Sequence, residues 1–141
     1  RDIDHLRNEI VDMRRKVHEG HPNPTHDFDL KHDAGGMVDI EFIVQFLVLA
    51  YSHQYPQLIG NLGNIALLRM AAEVGLIEPK IAQAVGDAYR LLRARQHRLR
   101  LDGAEKTRIQ LSEEPDLIVA RDSVIVLWKE IFKTPSNLEA V

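Results

Sequence analysis

Lys31-His32-Asp33-Ala34-Gly35-Gly36-Met37-Val38-Asp39-Ile40-Glu41-Phe42, running on through Ile43-Val44-Gln45-Phe46-Leu47-Val48-Leu49-Ala50-Tyr51, is the stretch that decides the fold. A polar loop meets a pair of glycines there and passes within three residues into the most apolar segment of the chain. That segment, residues 40–51, is apolar nearly all round, and a helix of this kind is buried on most sides. It is therefore expected to be the central helix. Its entrance carries two glycines, a lysine and two carboxylates, which makes it the first candidate for a site.

Outward from this helix the chain reads as further helices. Ile3, Leu6, Ile10, Met13 and Val17 recur at steps of three and four, predicting a first helix over about residues 1–18 that buries this stripe. Arg7, Asn8, Glu9, Arg14, Arg15 and Lys16 fall on its other faces. Gly20, Pro22 and Pro24 end it. The loop from 18 to 36 has little apolar content beyond Phe28 and Leu30, and loops of this length tend to be functional or mobile. The central helix is expected over 37–53, stopped by Tyr55-Pro56. A third covers 63–74 with Gly75 as its C-terminal signal, and a fourth opens at Pro79 and reaches about 101, where Asp102-Gly103 breaks it. Its stripe is Ile81, Val85, Ala88, Leu92 and Leu99. Residues 102–114 are polar and expected to be irregular. The last helix opens at Pro115, buries Leu117, Ile118, Val124, Ile125, Trp128, Ile131 and Phe132, and closes at Pro135. With no sustained strand alternation and no repeat, the predicted fold is all-α: one domain over 1–141, a bundle of about five main helices around the central apolar one.

Composition narrows the class of function. The 141 residues are 45% hydrophobic and 28% charged, as in an ordinary globular domain. A net charge of −3 argues against wholesale nucleic-acid binding. The absence of cysteine removes disulfides and thiolate metal sites. The apolar run is too short, and too interrupted by Glu41 and Gln45, for a bilayer that needs roughly 20 apolar residues. No signal peptide opens the chain, so a cytoplasmic location is expected. It begins at Arg1 inside a helical pattern and reads as a piece of something longer.

Several constellations invite chemistry, and each has a plainer reading beside it. Gly35-Gly36 can aim backbone N–H groups at a phosphate, with the positive end of the central helix behind them and Lys31 adding a full charge; equally, glycines supply the positive φ that a sharp entry requires. Asp39 and Glu41 favour the helix dipole, yet two residues apart they point to nearly opposite sides and are a poor pair for one metal. Glu41 and Gln45 share a face, a polar line expected to meet the loop, another polar group or a neighbouring domain. The ligand-rich loop, with His18, His21, His26, Asp27, Asp29, His32 and Asp33, has no spacing that organises a metal, and none is assigned. Asp27-Phe28-Asp29 lacks the sheet that would make it a nucleotidyl-transfer pair. Arg90, Arg93, Arg95 and Arg98, with His97 and Arg100, form a basic stretch suited to phosphate or an acidic partner, and suited also to a helix C-terminus. Arg121 is expected to snorkel at the edge of the last helix.

The segment from Phe28 to Leu49 resembles the K-x-x-x-G-G-x-x-D-I-E-F signature of the bacterial glutamine synthetase adenylyltransferases, and the likeness runs on through Gly60-Asn61-Leu62-Gly63-Asn64 and the later helices. The resemblance implies a bifunctional enzyme that attaches AMP from ATP, with magnesium, to a tyrosine of glutamine synthetase and removes it at a second site, regulating nitrogen assimilation in company with the PII signalling protein. Each half of such an enzyme pairs a nucleotidyltransferase domain with a following helical domain. This chain is similar to one helical domain alone, and its ending suggests the C-terminal, adenylylating half. The Gly-Ser loop and paired aspartates of the catalytic domain are absent, so the isolated chain is expected to be inactive and to hold neither ATP nor magnesium by itself. Lys31, Gly35, Gly36, Asp39 and Glu41 match the signature. The resemblance puts Lys31 and the glycine loop toward nucleotide phosphates or an interdomain seam, with Asp39 and Glu41 holding that loop. The alternatives are the helical domain of the PII uridylyltransferase and a stand-alone helical interaction module.

Overall fold

The computed structural model describes residues 2–60 and 62–133. Five helices account for most of it: α1 (Ile3–Gly20), α2 (Met37–Tyr51), α3 (Asn64–Glu73), α4 (Pro79–Leu101) and α5 (Pro115–Phe132). Two-residue strands β1 (Phe28–Asp29) and β2 (Arg108–Ile109) pair antiparallel, Phe28 opposite Ile109 and Asp29 opposite Arg108. Short 3₁₀ turns lie at Pro56–Leu58 and Leu111–Glu113. Of the sequence landmarks, Asn61 and Pro135 lie outside the described residues.

The helix ends follow local chemistry. Asp2 caps α1 by accepting the N–H groups of Asp4 and His5. Gly75 and Gly103, at φ +87° and +83°, let the chain fold back so that Leu76 N–H reaches the Ala71 carbonyl and Ala104 N–H that of Leu99. Pro79 and Pro115 occupy first helical turns, where the missing N–H costs nothing.

The sequence-predicted centre is the actual one, because α2 touches each of the other four helices. Ile40, Ile43, Phe46 and Leu47 are at most 2% exposed and join Leu6, Ile10, Leu68, Val85, Leu92, Val124, Trp128 and Phe132 in a single core. Phe46 and Trp128 both pack at a tilt against Phe132, with ring centroids 5.2 and 4.2 Å from its own. No helix among the described residues is long and apolar enough to cross a membrane.

Two expectations need correction. In α1 Met13 is 44% exposed and Arg14 is 1% exposed, the reverse of the predicted stripe. Arg14 lies four residues beyond Ile10, as suited to the inner face as Met13 at three, and a carboxylate on α2 receives it there. The second concerns the two stretches expected to be irregular, which meet each other. Phe28 and Ile109 carry the pairing into the core, and Leu30 N–H extends it to the Thr107 carbonyl at 2.9 Å.

Candidate functional site

The glycine loop is built by carboxylates that accept backbone N–H groups. Asp29 Oδ1 receives the N–H groups of Lys31 and His32 at 3.0 and 3.1 Å and the Thr107 hydroxyl at 2.9 Å. Asp33 Oδ2 receives Asp29 N–H and the Asn23 amide. Asp39 Oδ2 receives Gly35 N–H at 2.8 Å, while its other oxygen pairs with the Arg14 guanidinium, which also donates to the His32 carbonyl. Asp39 is 0% exposed. One carboxylate thereby ties α1, the loop and the start of α2 together, and in a low-dielectric interior that pair is tolerable only because both members are matched. The sequence offered a signal for it: an aspartate inside Met37-Val38-Asp39-Ile40 demands a buried partner.

These bonds decide what the glycines do. Gly36 N–H donates to the Asp33 carbonyl, Met37 N–H to that of Leu30 and Val38 N–H to that of Lys31, all at 2.9–3.0 Å. With Gly35 N–H on Asp39, four consecutive donors at the mouth of α2 are engaged internally. The loop therefore does not offer them to a phosphate. Gly35 has φ +85°, and a β-carbon there would stand 2.8 Å from the Arg121 carbonyl; at Gly36 it would stand 2.8 Å from the Leu30 carbonyl. Both glycines are buried joints against neighbouring backbone.

The remaining candidates separate. Glu41 and Gln45 are exposed and continue into Leu49, an outward strip on an otherwise buried helix. Glu41, expected to hold the loop with Asp39, instead accepts a 3.3 Å bond from the Tyr89 hydroxyl, to which Asn64 donates. Of the α4 arginines, Arg90 and Arg93 line one shallow groove with His97 and Arg100, and Arg95 leaves that face. Arg95 pairs with Glu114 at 2.8 Å, Arg90 pairs with Asp87, and Arg93 lies over the Tyr89 ring at 5.6 Å. Arg98 is exposed. Arg121 is partly buried beside its neighbour Asp122 at 3.0 Å. No group of three or more metal-ligating side chains gathers among the described residues.

Lys31 stands apart from the buried joint. It lines a cleft of about 380 Å³ whose walls come from the loop and from the segment after α4: His21, His32, Arg100, Lys106 and Arg108 among them. His21 and His32 stack there with ring centroids 3.9 Å apart. Burial depresses the His32 pKa and outweighs the neighbouring Asp29 charge, with His21 adding to the depression. Burial pushes Asp29 the other way, but the His32 and Lys31 N–H groups and the Thr107 hydroxyl overcome it and hold the carboxyl below its ordinary value of 3.8.

Both shifts make acid destabilising. For His32 the unfolded chain, with the ordinary value of 6.5, takes up a proton that the folded chain refuses, so stability falls as pH drops from 6.5 toward the folded value. Asp29 contributes stability above 3.8 that is lost as pH falls through its lower folded value. Denaturation midpoints followed from neutral pH to about pH 5 should decline, and His32→Asn should flatten the decline. An unchanged slope in that variant would assign the effect elsewhere.

Comparison with known proteins places the chain. Residues 6–122 match the family model described as GlnD PII-uridylyltransferase. The chain is 50% identical over 132 residues to a bifunctional glutamine synthetase adenylyltransferase/adenylyl-removing enzyme of Aromatoleum aromaticum, an alignment covering 94% of this chain and 14% of that protein. It is 53% identical over 133 residues to the enzyme so named in Burkholderia mallei, again over 94% and 14%. The Nitrosomonas europaea enzyme is 50% identical over 145 residues, with 95% of this chain and 16% of that protein covered. The chain thus spans about a seventh of the length of these relatives.

Proposed function

The chain belongs to the GlnD PII-uridylyltransferase family, and from that membership we propose that it is one helical domain of a bifunctional glutamine synthetase adenylyltransferase/adenylyl-removing enzyme. The observation that carries the reading is identity of about half over 94% of the chain to enzymes of that name. It also weighs against the PII uridylyltransferase itself, although the family model bears that description. The whole enzyme then transfers AMP from ATP to glutamine synthetase in the cytoplasm, with magnesium at a nucleotidyltransferase domain outside this chain and the PII protein as a regulatory partner. Assignment to the C-terminal, adenylylating half is part of the same proposal.

Within that enzyme the helical domain acts by position. Asp39, Arg14 and the two glycines fix the loop rigidly, and a rigid frame is what a positioning group needs. Lys31 is the cationic member of the signature and stands outside the buried joint, partly exposed at the cleft. The outward strip of Glu41, Gln45 and Leu49 is a surface for the catalytic domain of the same chain.

The test is made in the full-length enzyme. Lys31→Ala should reduce AMP incorporation into glutamine synthetase by about tenfold or more, the scale of one charge-assisted contact, with helicity unchanged. Normal transfer kinetics in that variant would remove the role of Lys31. A full-length protein that never modifies glutamine synthetase would remove the reading as a whole.

A further inference from the structure

The cleft beside Lys31 joins residues that lie far apart in sequence: His21, Lys31 and His32 from the loop, Arg100 from the end of α4, Lys106 from the segment before β2, and Arg108 from β2 itself. Its lining carries four cations, Lys31, Arg100, Lys106 and Arg108, against two carboxylates, Asp29 and Glu105. Asp29 is already engaged by two backbone N–H groups, the Thr107 hydroxyl and the His32 ring. None of the four cations forms a salt bridge among the described residues, whereas Arg7, Arg14, Arg15, Arg90, Arg95 and Arg121 all do. Arg108 Nε is buried without a hydrogen-bond partner.

Unpaired like charges facing one another across a concave wall repel, and an anion between them relieves that repulsion while satisfying their donors. The volume of about 380 Å³ falls within the roughly 300–1,000 Å³ of small-molecule sites. Arginine forks and a lysine ammonium suit the oxygens of linked phosphates better than a single carboxylate, because several donors on different walls require several acceptors.

We propose that this cleft binds the triphosphate of a nucleotide through Lys31, Arg100, Lys106 and Arg108, against the expectation, drawn from the missing catalytic motifs, that the chain by itself holds no ATP. The site takes the place of the glycine N–H groups, whose donors are engaged inside the fold. That the anion is a triphosphate rests on the adenylyltransferase reading; that the cleft is an anion site rests on its own charges. Arg100 belongs to this site and also lines the groove shared by Arg90, Arg93 and His97, so it joins the cleft to the basic end of α4, while Arg95 turns away to Glu114.

The experiment titrates the 141-residue chain with ATP, inorganic tripolyphosphate and orthophosphate, following backbone amide NMR shifts. ATP and tripolyphosphate should give saturable shifts at residues 31, 32 and 106–108 with similar affinity, orthophosphate weaker ones. Lys31→Ala, at a partly exposed side chain, and Arg100→Ala, at an exposed one, should each weaken binding about tenfold, the scale of one charge-assisted contact. Lys129→Ala, an equal charge change on exposed α5 surface, should not. Absence of saturation with tripolyphosphate, or equal loss in all three variants, overturns the site. Orthophosphate binding as tightly as tripolyphosphate overturns the triphosphate assignment. Binding in a chain whose full-length enzyme modifies no glutamine synthetase would leave the site standing and remove the enzymatic reading; transfer without binding would do the reverse.

Discussion

Asp39→Ala should cost the chain about 3–5 kcal/mol of unfolding free energy, the range for removing one member of a buried ion pair. The reason is what remains behind. Arg14, 1% exposed, would keep its charge with only the His32 carbonyl as acceptor, and its Nη1 already lacks a partner. Gly35 N–H would lose its acceptor as well, which adds an unsatisfied donor of about 1–3 kcal/mol to the same variant. Against a typical total of about 5–15 kcal/mol, such a loss leaves little native chain at elevated temperature. The double variant Arg14→Met/Asp39→Leu should recover much of it, because replacing both charges with apolar groups of similar size removes the desolvation cost together with the attraction. It should not recover everything, since Gly35 N–H stays orphaned. Guanidinium denaturation of the three chains measures this directly, and a single-variant loss below about 1 kcal/mol would mean that the pair is hydrated rather than buried.

The second large effect is steric. Gly35→Ala places a methyl group 2.5 Å from Arg121 Cγ, 2.8 Å from the Arg121 carbonyl and 3.1 Å from Ile125 Cγ1, at φ +85°. The left-handed backbone costs about 1–2 kcal/mol for alanine, and overpacking against backbone adds about 1–3 kcal/mol. A loss of about 2–5 kcal/mol is expected. Gly86→Ala is the contrast. It lies in the middle of α4, where the new methyl would meet only Ile65 Cγ2 at an ordinary 3.7 Å, so it should stabilise by about 0.5–1 kcal/mol through helix propensity. Equal effects at the two glycines would show that α5 yields to the loop.

The helices were legible because their signals are local. Periodicity placed α3, α4 and α5 within a residue or two, and Pro79, Gly75 and Asp102-Gly103 marked ends that the backbone uses. The orientation of α1 was not legible, since Met13 and Arg14 are equally good neighbours of Ile10 until the partner on α2 is known. The same limit hid the true task of the loop. Asp29, Asp33 and Asp39 read as ligand candidates or dipole partners, yet each accepts backbone N–H groups, a role set by distances that no spacing rule contains. The cationic grouping of the cleft was not legible, because Lys31, Arg100 and Arg108 meet only through a strand pair of two residues on each side.

That small pair has a consequence for the order of events as the chain folds. Thr107 bonds to Asp29 across 78 residues, and everything from α2 to α4 lies inside the ring so closed. Bringing such distant segments together carries a loop-closure entropy that helix formation does not, so contacts of this separation slow the search for the native state. The walls of the cleft stand on opposite sides of the closure. Helical content therefore develops before the cleft does, and a nascent chain still lacking residue 107 can hold α2 and α3 but has only one bank of the charged cleft.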